Sequence, residues 1–320
     1  MRRLLFLFMI LATSLSACNK AVIEADYNII PLPQKKGVIE KEPFILDSQV
    51  TISYDTSNKG ITNVAGFLTG YIQQSVGYKL SHVSVQENNL KKTIHLRINK
   101  DIQHPEGYRI EVDSINIAIE GADEAGLFYG VQTLRKSIPV VNKEAAVIFP
   151  AVRIEDYPRF AYRGMMLDVS RHFWTVDFIK RYIDILALHN INKFHMHLTE
   201  DQGWRIEIKS YPKLTEVGSK RKETINGFIT GEYDYTPHGG YYTQEELKDI
   251  VQYAAQRYIE VIPEIDLPGH MLAALASYPE LGCTGGPYEV ATKWGIFPDV
   301  LCSGNEKIYE FLEKVFIEVF

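Results

Sequence analysis

The sequence predicts an α/β chain in which a small α+β domain is followed by the first three strand-and-helix units of a parallel (β/α)8 barrel, the TIM architecture. Three observations carry that reading. From Tyr157 onward, apolar strands alternate with amphipathic helices in the repeated order strand, loop, helix. Polar and charged residues gather at the end of each of those strands, where barrels carry their chemistry. Ahead of Tyr157 the grammar differs, with short period-two runs set around two helical stretches.

At 320 residues, 46% hydrophobic and 12% aromatic, the chain has enough apolar material for two cores. A net charge of −6 leaves no basic footprint, which argues against a nucleic-acid partner and for a neutral or weakly charged substrate. The 19 tyrosines suit a carbohydrate surface, although packing accounts for most of them.

Met1-Arg2-Arg3 is a positive n-region, and the apolar run Leu4 to Leu15 is too short to span a bilayer, so residues 1–18 read as an export signal. Leu15-Ser16-Ala17-Cys18 resembles a bacterial lipobox, which implies lipidation at Cys18, a tether over residues 19–26, and a lipid-anchored protein of the periplasm or cell envelope. The support domain spans residues 27–155. Strands are expected at Val50 to Tyr54, Thr93 to Ile98, Tyr108 to Val112 and Ile115 to Ile119, with helices at Ile61 to Val76 and Asp123 to Ser137. Its histidines His82, His95 and His104 lack metal or nucleophile spacing and read as structural.

The barrel portion spans residues 156–320. Gly164 to Val169 is nearly continuous in apolar character, as a strand buried on both faces requires. Thr175 then caps a helix with Phe178, Tyr182, Ile185 and Leu186 on its inward stripe. The second strand runs into His195-Met196-His197-Leu198-Thr199-Glu200-Asp201-Gln202-Gly203-Trp204-Arg205, where a period of two puts both histidines on one face. Carboxylates follow at the strand's end, beside a Gly that lets the backbone bend and a Trp suited to stacking. Thr243 and Glu246 form a capping box for the second helix, whose core face is Leu247, Ile250, Val251, Ala254 and Ala255. The third strand, Ile259 to Ile265, ends in Asp266-Leu267-Pro268-Gly269-His270, and the third helix opens at Asn305 with Ile308, Phe311, Leu312, Val315, Phe316 and Val319 on one side. Tyr157 to Phe320 supplies 164 residues, where a full barrel takes roughly 250, so the sequence reads as a fragment.

Three strand ends therefore converge: Asp168 and Arg171 from the first, His197, Glu200, Asp201 and Trp204 from the second, Glu264, Asp266 and His270 from the third. An arginine offers a planar fork to two sugar hydroxyls, and a histidine held by a carboxylate is a fixed, tunable donor. The set suits a polyol.

At these residues the chain resembles the family 20 glycoside hydrolases, the β-N-acetylhexosaminidases. The resemblance rests on Arg163-Gly164-Met165-Met166-Leu167-Asp168-Val169-Ser170-Arg171-His172-Phe173, on His195 to Arg205, and on Pro263-Glu264-Ile265-Asp266-Leu267-Pro268-Gly269-His270, and it extends from Tyr27 to Phe320. It implies an exo-acting enzyme that removes terminal β-linked N-acetylglucosamine or N-acetylgalactosamine from glycans without cofactor or metal. It further implies substrate-assisted, retaining catalysis, in which the substrate's own acetamido oxygen attacks the anomeric carbon. Arg171 would bind ring hydroxyls, and Glu200 with His270 would form a carboxylate–histidine pair beside the catalytic acid. Many members have Asp where this chain has Glu200, so Asp201 shares or takes over that role at the substrate. The family's catalytic Asp-Glu pair follows a fourth strand, which the three units here do not include; Glu264 fits a supporting role instead.

Two rival readings stand beside this one. A His-x-His at a barrel strand, with Asp266 and His270, is also a metal-ligand pattern, so a metal-dependent barrel hydrolase is one alternative. A carbohydrate-binding lipoprotein without turnover is the other. Finally, with Cys18 consumed by lipid, Cys283 and Cys302 are the two thiols left in an exported chain, nineteen positions apart in one long loop, and are expected to form a disulfide holding Trp294 over the strand ends.

Overall fold

A computed structural model describes residues 22–86, 92–140, 145–228 and 230–320; the expected export signal, with Cys18, lies outside the described residues. The first half is built on a seven-stranded mixed sheet, in the order Lys35–Val38, Val152–Asp156, Tyr108–Val112, Asn116–Gly121, Thr93–Ile98, Thr51–Tyr54, Ser81–Ser84. The first four strands pair antiparallel and the last four parallel. Helices Lys59–Val76 and Glu124–Ser137 cover the sheet, burying Val64, Leu68, Ile72, Leu127, Phe128 and Val131 against Ile52, Ile94, Ile110, Ile119 and Ile154. Asn58 and Asp123 accept the orphan N–H groups of Ile61 and Gly126 at the two helix starts. Gly77, at φ 82°, ends the first helix with a left-handed cap onto the Gln73 carbonyl. Strands Val22–Glu24, Phe44–Leu46 and Ala146–Phe149 form a further small sheet.

The second half holds a three-stranded parallel sheet, Gly164–Asp168, Lys193–His197 and Glu260–Glu264, here strands one, two and three. Each feeds a helix: Val176–Leu188, Gln244–Ala255 and Lys307–Val319. The register aligns Asp168, His197 and Glu264 in one row and Leu167, Met196 and Pro263 in the next. Successive rows face opposite sides. Phe194 and Met196 are fully buried toward the helices, while His195 and His197 take the other face with Glu264.

Three details depart from the sequence pattern. Strand one is not buried on both faces; Met165 and Met166 are 50% and 49% exposed, because this strand pairs on one side only and is the outer strand of its sheet. Helix one buries Ile179, Ile183, Leu186 and Ala187, one position round from the expected stripe, so Phe178 and Ile185 stand outside it. Phe178 instead stacks its ring on Trp174 at 4.3 Å. The capping box at Thr243 forms as expected, but only Ile250 and Ala254 of helix two are fully buried, and Val251 and Ala255 face outward.

The two halves meet at the amino ends of the strands. Arg163 donates to Glu106 (2.8 Å), to the Asn190 carbonyl (2.6 Å) and to the Tyr129 hydroxyl (3.1 Å). The Asn192 amide reaches the same Glu106, Asn63 reaches the Gln256 carbonyl, and His104 stacks on Tyr157 at 3.7 Å. His82 sits between the Tyr54 and Thr69 hydroxyls and His95 bonds Asn116, so all three histidines of this half have structural partners. With the support domain holding the amino ends, the carboxyl ends stay open for chemistry.

Candidate active site

Strand one ends in a turn in which Asp168 Oδ1 accepts the N–H groups of Ser170 and Arg171, both at 2.9 Å. That turn aims the Arg171 guanidinium back across the strand ends. One Nη donates to Asp168 Oδ2 (2.6 Å) and the other to Glu200 Oε1. Arg171 remains 41% exposed while Glu200 is 1% exposed, so the ion pair is buried at one end and open at the other.

Glu200 is the hub. Its Oε2 accepts the Asp201 N–H (2.8 Å) and lies 3.1 Å from His270 Nδ1, which is also 3.1 Å from Asp201 Oδ2. One imidazole nitrogen thus faces both carboxylates, which leaves Nε2 as the working nitrogen of His270. Asp201 Oδ1 takes the Leu272 N–H at 3.1 Å. His270 is held at φ +55°, a left-handed conformation uncommon outside glycine, by this set of contacts.

These contacts separate the acidities. Burial alone would raise the Glu200 carboxyl, but His197, the Asp201 amide, and the charges of Arg171 and His270 outweigh it and hold it below the ordinary range. Burial dominates at Asp201, which moves upward, reinforced by the Glu200 charge. His270 is raised; burial opposes the charged ring, and Glu200 and Asp201 overcome it. His197 lies with Nδ1 2.9 Å from Glu264 and Nε2 3.6 Å from Glu200, the second an ion-pair distance rather than a hydrogen bond. Burial opposes its charge, yet the two carboxylates raise it to about 9. Glu264 is in turn clasped by His195 and His197 and lowered, which makes it a support for the histidines.

Arg171, Glu200, Asp201 and His270 are thus brought into one connected set. Trp204 is not part of it: the ring is 1% exposed, its N–H is spent on the Ile206 carbonyl at 2.7 Å, and it packs near Phe311. Gly203 owes its identity to close approach rather than bending, since a Cβ there would sit 2.2 Å from the Arg205 guanidinium. Arg205 itself was not singled out by the sequence. Fully buried, it grips the carbonyls of Ser170, Ser219 and Gly240, and burial lowers it to about 9, still charged at neutral pH. An arginine directly after an apolar strand-end Trp was the available signal.

Two groups could in principle hold a cation, His197 with Glu200 and Asp266, and Glu200 with Asp201 and His270. Both depend on Glu200, whose charge Arg171 already neutralises at contact distance, so a second cation there would meet the first. Asp266 makes its bond through its backbone, to Thr199 Oγ1.

The long loop after strand three is tied down at several points. Cys283 and Cys302 are bridged, with Cα atoms 4.7 Å apart. The Ala291 N–H donates to the Asp201 carbonyl (2.9 Å), and the Gln202 side chain donates to the Lys293 carbonyl (3.0 Å). Trp294 packs on Phe228 at 4.2 Å and stays half exposed.

Comparison with known proteins places two family descriptions on the chain: "Glycosyl hydrolase family 20, catalytic domain" over residues 160–320, and "Glycosyl hydrolase family 20, domain 2" over residues 26–157. A beta-hexosaminidase of Porphyromonas gingivalis is 41% identical over 319 residues, covering 96% of this chain and 39% of that protein. One from Vibrio furnissii is 44% identical over 189 residues, covering 58% of this chain and 30% of that protein. Among solved structures, the Streptomyces plicatus N-acetyl-beta-hexosaminidase in complex with Thio-NAglucal superposes with a TM-score of 0.80 at 37% identity, over 91% of this chain and 56% of that one. The beta-N-acetylhexosaminidase of Bacteroides fragilis gives 0.72 at 34%, over 92% and 54%. The chain spans about two-fifths of the length of the Porphyromonas gingivalis protein.

Proposed function

The chain belongs to glycosyl hydrolase family 20, and from that premise we propose that it supplies the sugar-gripping part of an exo-acting β-N-acetylhexosaminidase site. The substrate is a glycan with a terminal β-linked N-acetylglucosamine or N-acetylgalactosamine. The observation that carries this reading is the Arg171–Glu200–His270 set drawn from three strand ends. Arg171 is oriented by Asp168 and Glu200 before any sugar arrives, so little side-chain freedom is lost on binding, and its remaining N–H groups are free for ring hydroxyls.

Glu200, Asp201 and Glu264 do not suit the acid that protonates the leaving oxygen. Glu200 is held ionised, Asp201 is buried with both oxygens engaged, and Glu264 is clasped by two histidines. As the family resemblance implies, the acid comes from a further strand, and the pair Glu200–His270 is suited to tune that acid through His270 Nε2. The acetamido oxygen of the substrate serves as nucleophile, with retention of configuration.

The full-length protein, given para-nitrophenyl N-acetyl-β-glucosaminide and the galactosaminide, is expected to release nitrophenol with the β-anomer as first product, and chelators are expected to leave the rate unchanged. An α-anomer as first product, no release from either substrate, or loss of activity to a chelator with recovery on added zinc would overturn the reading. The same proposal makes the protein an exported lipoprotein anchored through Cys18, supported by Leu15-Ser16-Ala17-Cys18. Labelling by radioactive palmitate in expressing bacteria is expected to vanish in Cys18→Ser; retained labelling would remove the anchor.

A further inference from the structure

We propose that His238 is a positioning residue for Arg171: it pins the backbone beside the arginine through the Phe173 amide, and its protonation releases that pin and weakens the grip on the sugar. The proposal rests on the reading that Arg171 holds the substrate.

Residues 170–174, which carry Arg171, belong to no strand or helix. They are held from outside. On one side the Arg205 guanidinium takes the Ser170 carbonyl with two N–H groups, at 3.1 and 2.8 Å. On the other, the Phe173 N–H donates to His238 Nε2 at 3.0 Å, and the Tyr242 hydroxyl donates to the Trp174 carbonyl at 2.5 Å. The loop that carries His238 and Tyr242 closes directly onto the segment. At Gly240, φ +146°, a Cβ would meet the Phe173 ring at 2.3 Å, so only glycine permits the approach. Arg171 lies between the two fastenings, and the length of its reach to a sugar depends on both.

The His238 fastening is conditional. A backbone N–H can only donate, so Nε2 must offer a lone pair and the ring must be neutral with its proton on Nδ1. A second proton would put two donors face to face and break the bond. The surroundings keep the ring neutral. His172, from the pinned segment itself, stacks on His238 at 4.3 Å. Arg205 from the end of strand two and Arg221 from the loop after it both oppose a further positive charge, while Asp234 on His238's own loop favours it. Burial is the largest influence, and together these hold His238 down to about 4. The pin is thus closed at neutral pH and opens in acid, without any change in Arg171's own charge.

The test uses the full-length protein as wild type, His238→Leu and His238→Gln, with KM and kcat on para-nitrophenyl N-acetyl-β-glucosaminide from about pH 3.5 to about pH 7. A glutamine oxygen can take the place of Nε2 and accepts at every pH. The expected result for His238→Leu at neutral pH is a KM raised by up to about tenfold, as for loss of one positioning hydrogen bond, with kcat within about twofold. Wild-type KM should climb as pH falls through about 4, whereas the His238→Gln value stays near the neutral wild-type value and flat. An unchanged KM in His238→Leu, or a His238→Gln KM that climbs in acid like wild type, overturns the proposal. Should His238→Leu fail to fold, the wild-type and glutamine profiles still decide. The protection factor of the Phe173 amide against hydrogen exchange reads the pin without turnover: it should fall through about pH 4 in wild type and not in His238→Gln. A flat wild-type protection factor overturns the pin itself, whereas absent hydrolysis with a falling factor would overturn only the hexosaminidase reading.

Discussion

Replacing Glu200 by Gln removes one charge from the centre of the site while keeping its length; the one amide oxygen can keep either the Arg171 bond or the Asp201 amide bond, which Glu200 accepts on separate oxygens. The consequence is read at His197, which is 5% exposed and raised from 6.5 to about 9. At 1.36 kcal/mol per unit that gap amounts to about 3 kcal/mol of preference for the charged ring, an upper bound given relaxation and water near the site. Against the opposing effect of burial, Glu200 at 3.6 Å and Glu264 at 2.9 Å supply most of it, with the Asp168 charge adding to them. Glu264 is closer but a third exposed and therefore screened, and Glu200 is farther but buried, so the two contribute comparably, roughly 1.5 kcal/mol each. In Glu200→Gln, His197 is expected to titrate about one unit lower. A raised histidine stabilises fully below its unfolded value near 6.5, and that stabilisation disappears as pH rises through about 9. Between about pH 6 and about pH 9.5 the wild type should therefore lose roughly 1.5 kcal/mol more stability than the variant. Lys136, which burial lowers to about 8, works in the opposite sense over this range, but equally in both proteins, so the difference between them reports the histidines that face Glu200, His197 and His270, which the ring-resolved titration separates. Urea unfolding of both proteins at the two pH values, with ring-resolved NMR titration, measures it. A variant in which His197 still titrates near 9, or equal loss of stability in the two proteins, refutes the charge balance described here.

Arg171→Ala should raise KM for the nitrophenyl glucosaminide by about 10- to 150-fold, as expected for a charged hydrogen bond worth about 1.5–3 kcal/mol, and unchanged kinetics would remove Arg171 from the site. His270→Ala should lower kcat more than it raises KM, and combined with Glu200→Gln it should be non-additive by at least about 0.5 kcal/mol; strict additivity would show that the two act apart. Alkylation of the folded, unreduced protein should leave Cys283 and Cys302 unlabelled, and reduction should cost about 3 kcal/mol for a loop of this size; labelling of both would refute the bridge.

The sequence was most legible where one physical signal dominated. Strands Thr93–Ile98 and Tyr108–Val112 are found where strict alternation marks them, because each buries one face against helices and leaves the other to solvent. The capping box at Thr243 was readable because Thr and Glu three apart satisfy two orphan amides locally, without help from the rest of the fold. Short strands such as Lys35–Val38 and Ser81–Ser84 were illegible: Lys35–Val38 is fully exposed and Ser81–Ser84 largely so, and they exist because a neighbour's edge supplies hydrogen bonds. Helix one was mis-phased because Phe178 and Ile185 are apolar yet outward, and a stripe read from hydrophobicity cannot tell a core residue from one that stacks on a neighbouring Trp.

At the site the same distinction separates Arg171 from Arg205. Both are arginines near strand ends, and spacing alone treats them alike. What divides them is the nature of the acceptors. Arg171 meets carboxylates and keeps an exposed end, so its charge is paired and its spare donors are available to a ligand. Arg205 meets only carbonyls and is sealed, so every donor it spends holds backbone in place. One arginine is therefore the hand and the other the wrist, and the second could be found only once the loops that surround it had been folded. The two carboxylates show the converse. Glu200 and Asp201 are adjacent in sequence and face the same imidazole nitrogen, yet only Glu200 also meets His197, the Asp201 amide and Arg171, and those added contacts send their acidities in opposite directions. An Asp in place of Glu200 would be one methylene short of Arg171's Nη unless the arginine or its turn moved inward, which ties the choice of glutamate to the position at which Asp168 and the pinned segment set the arginine.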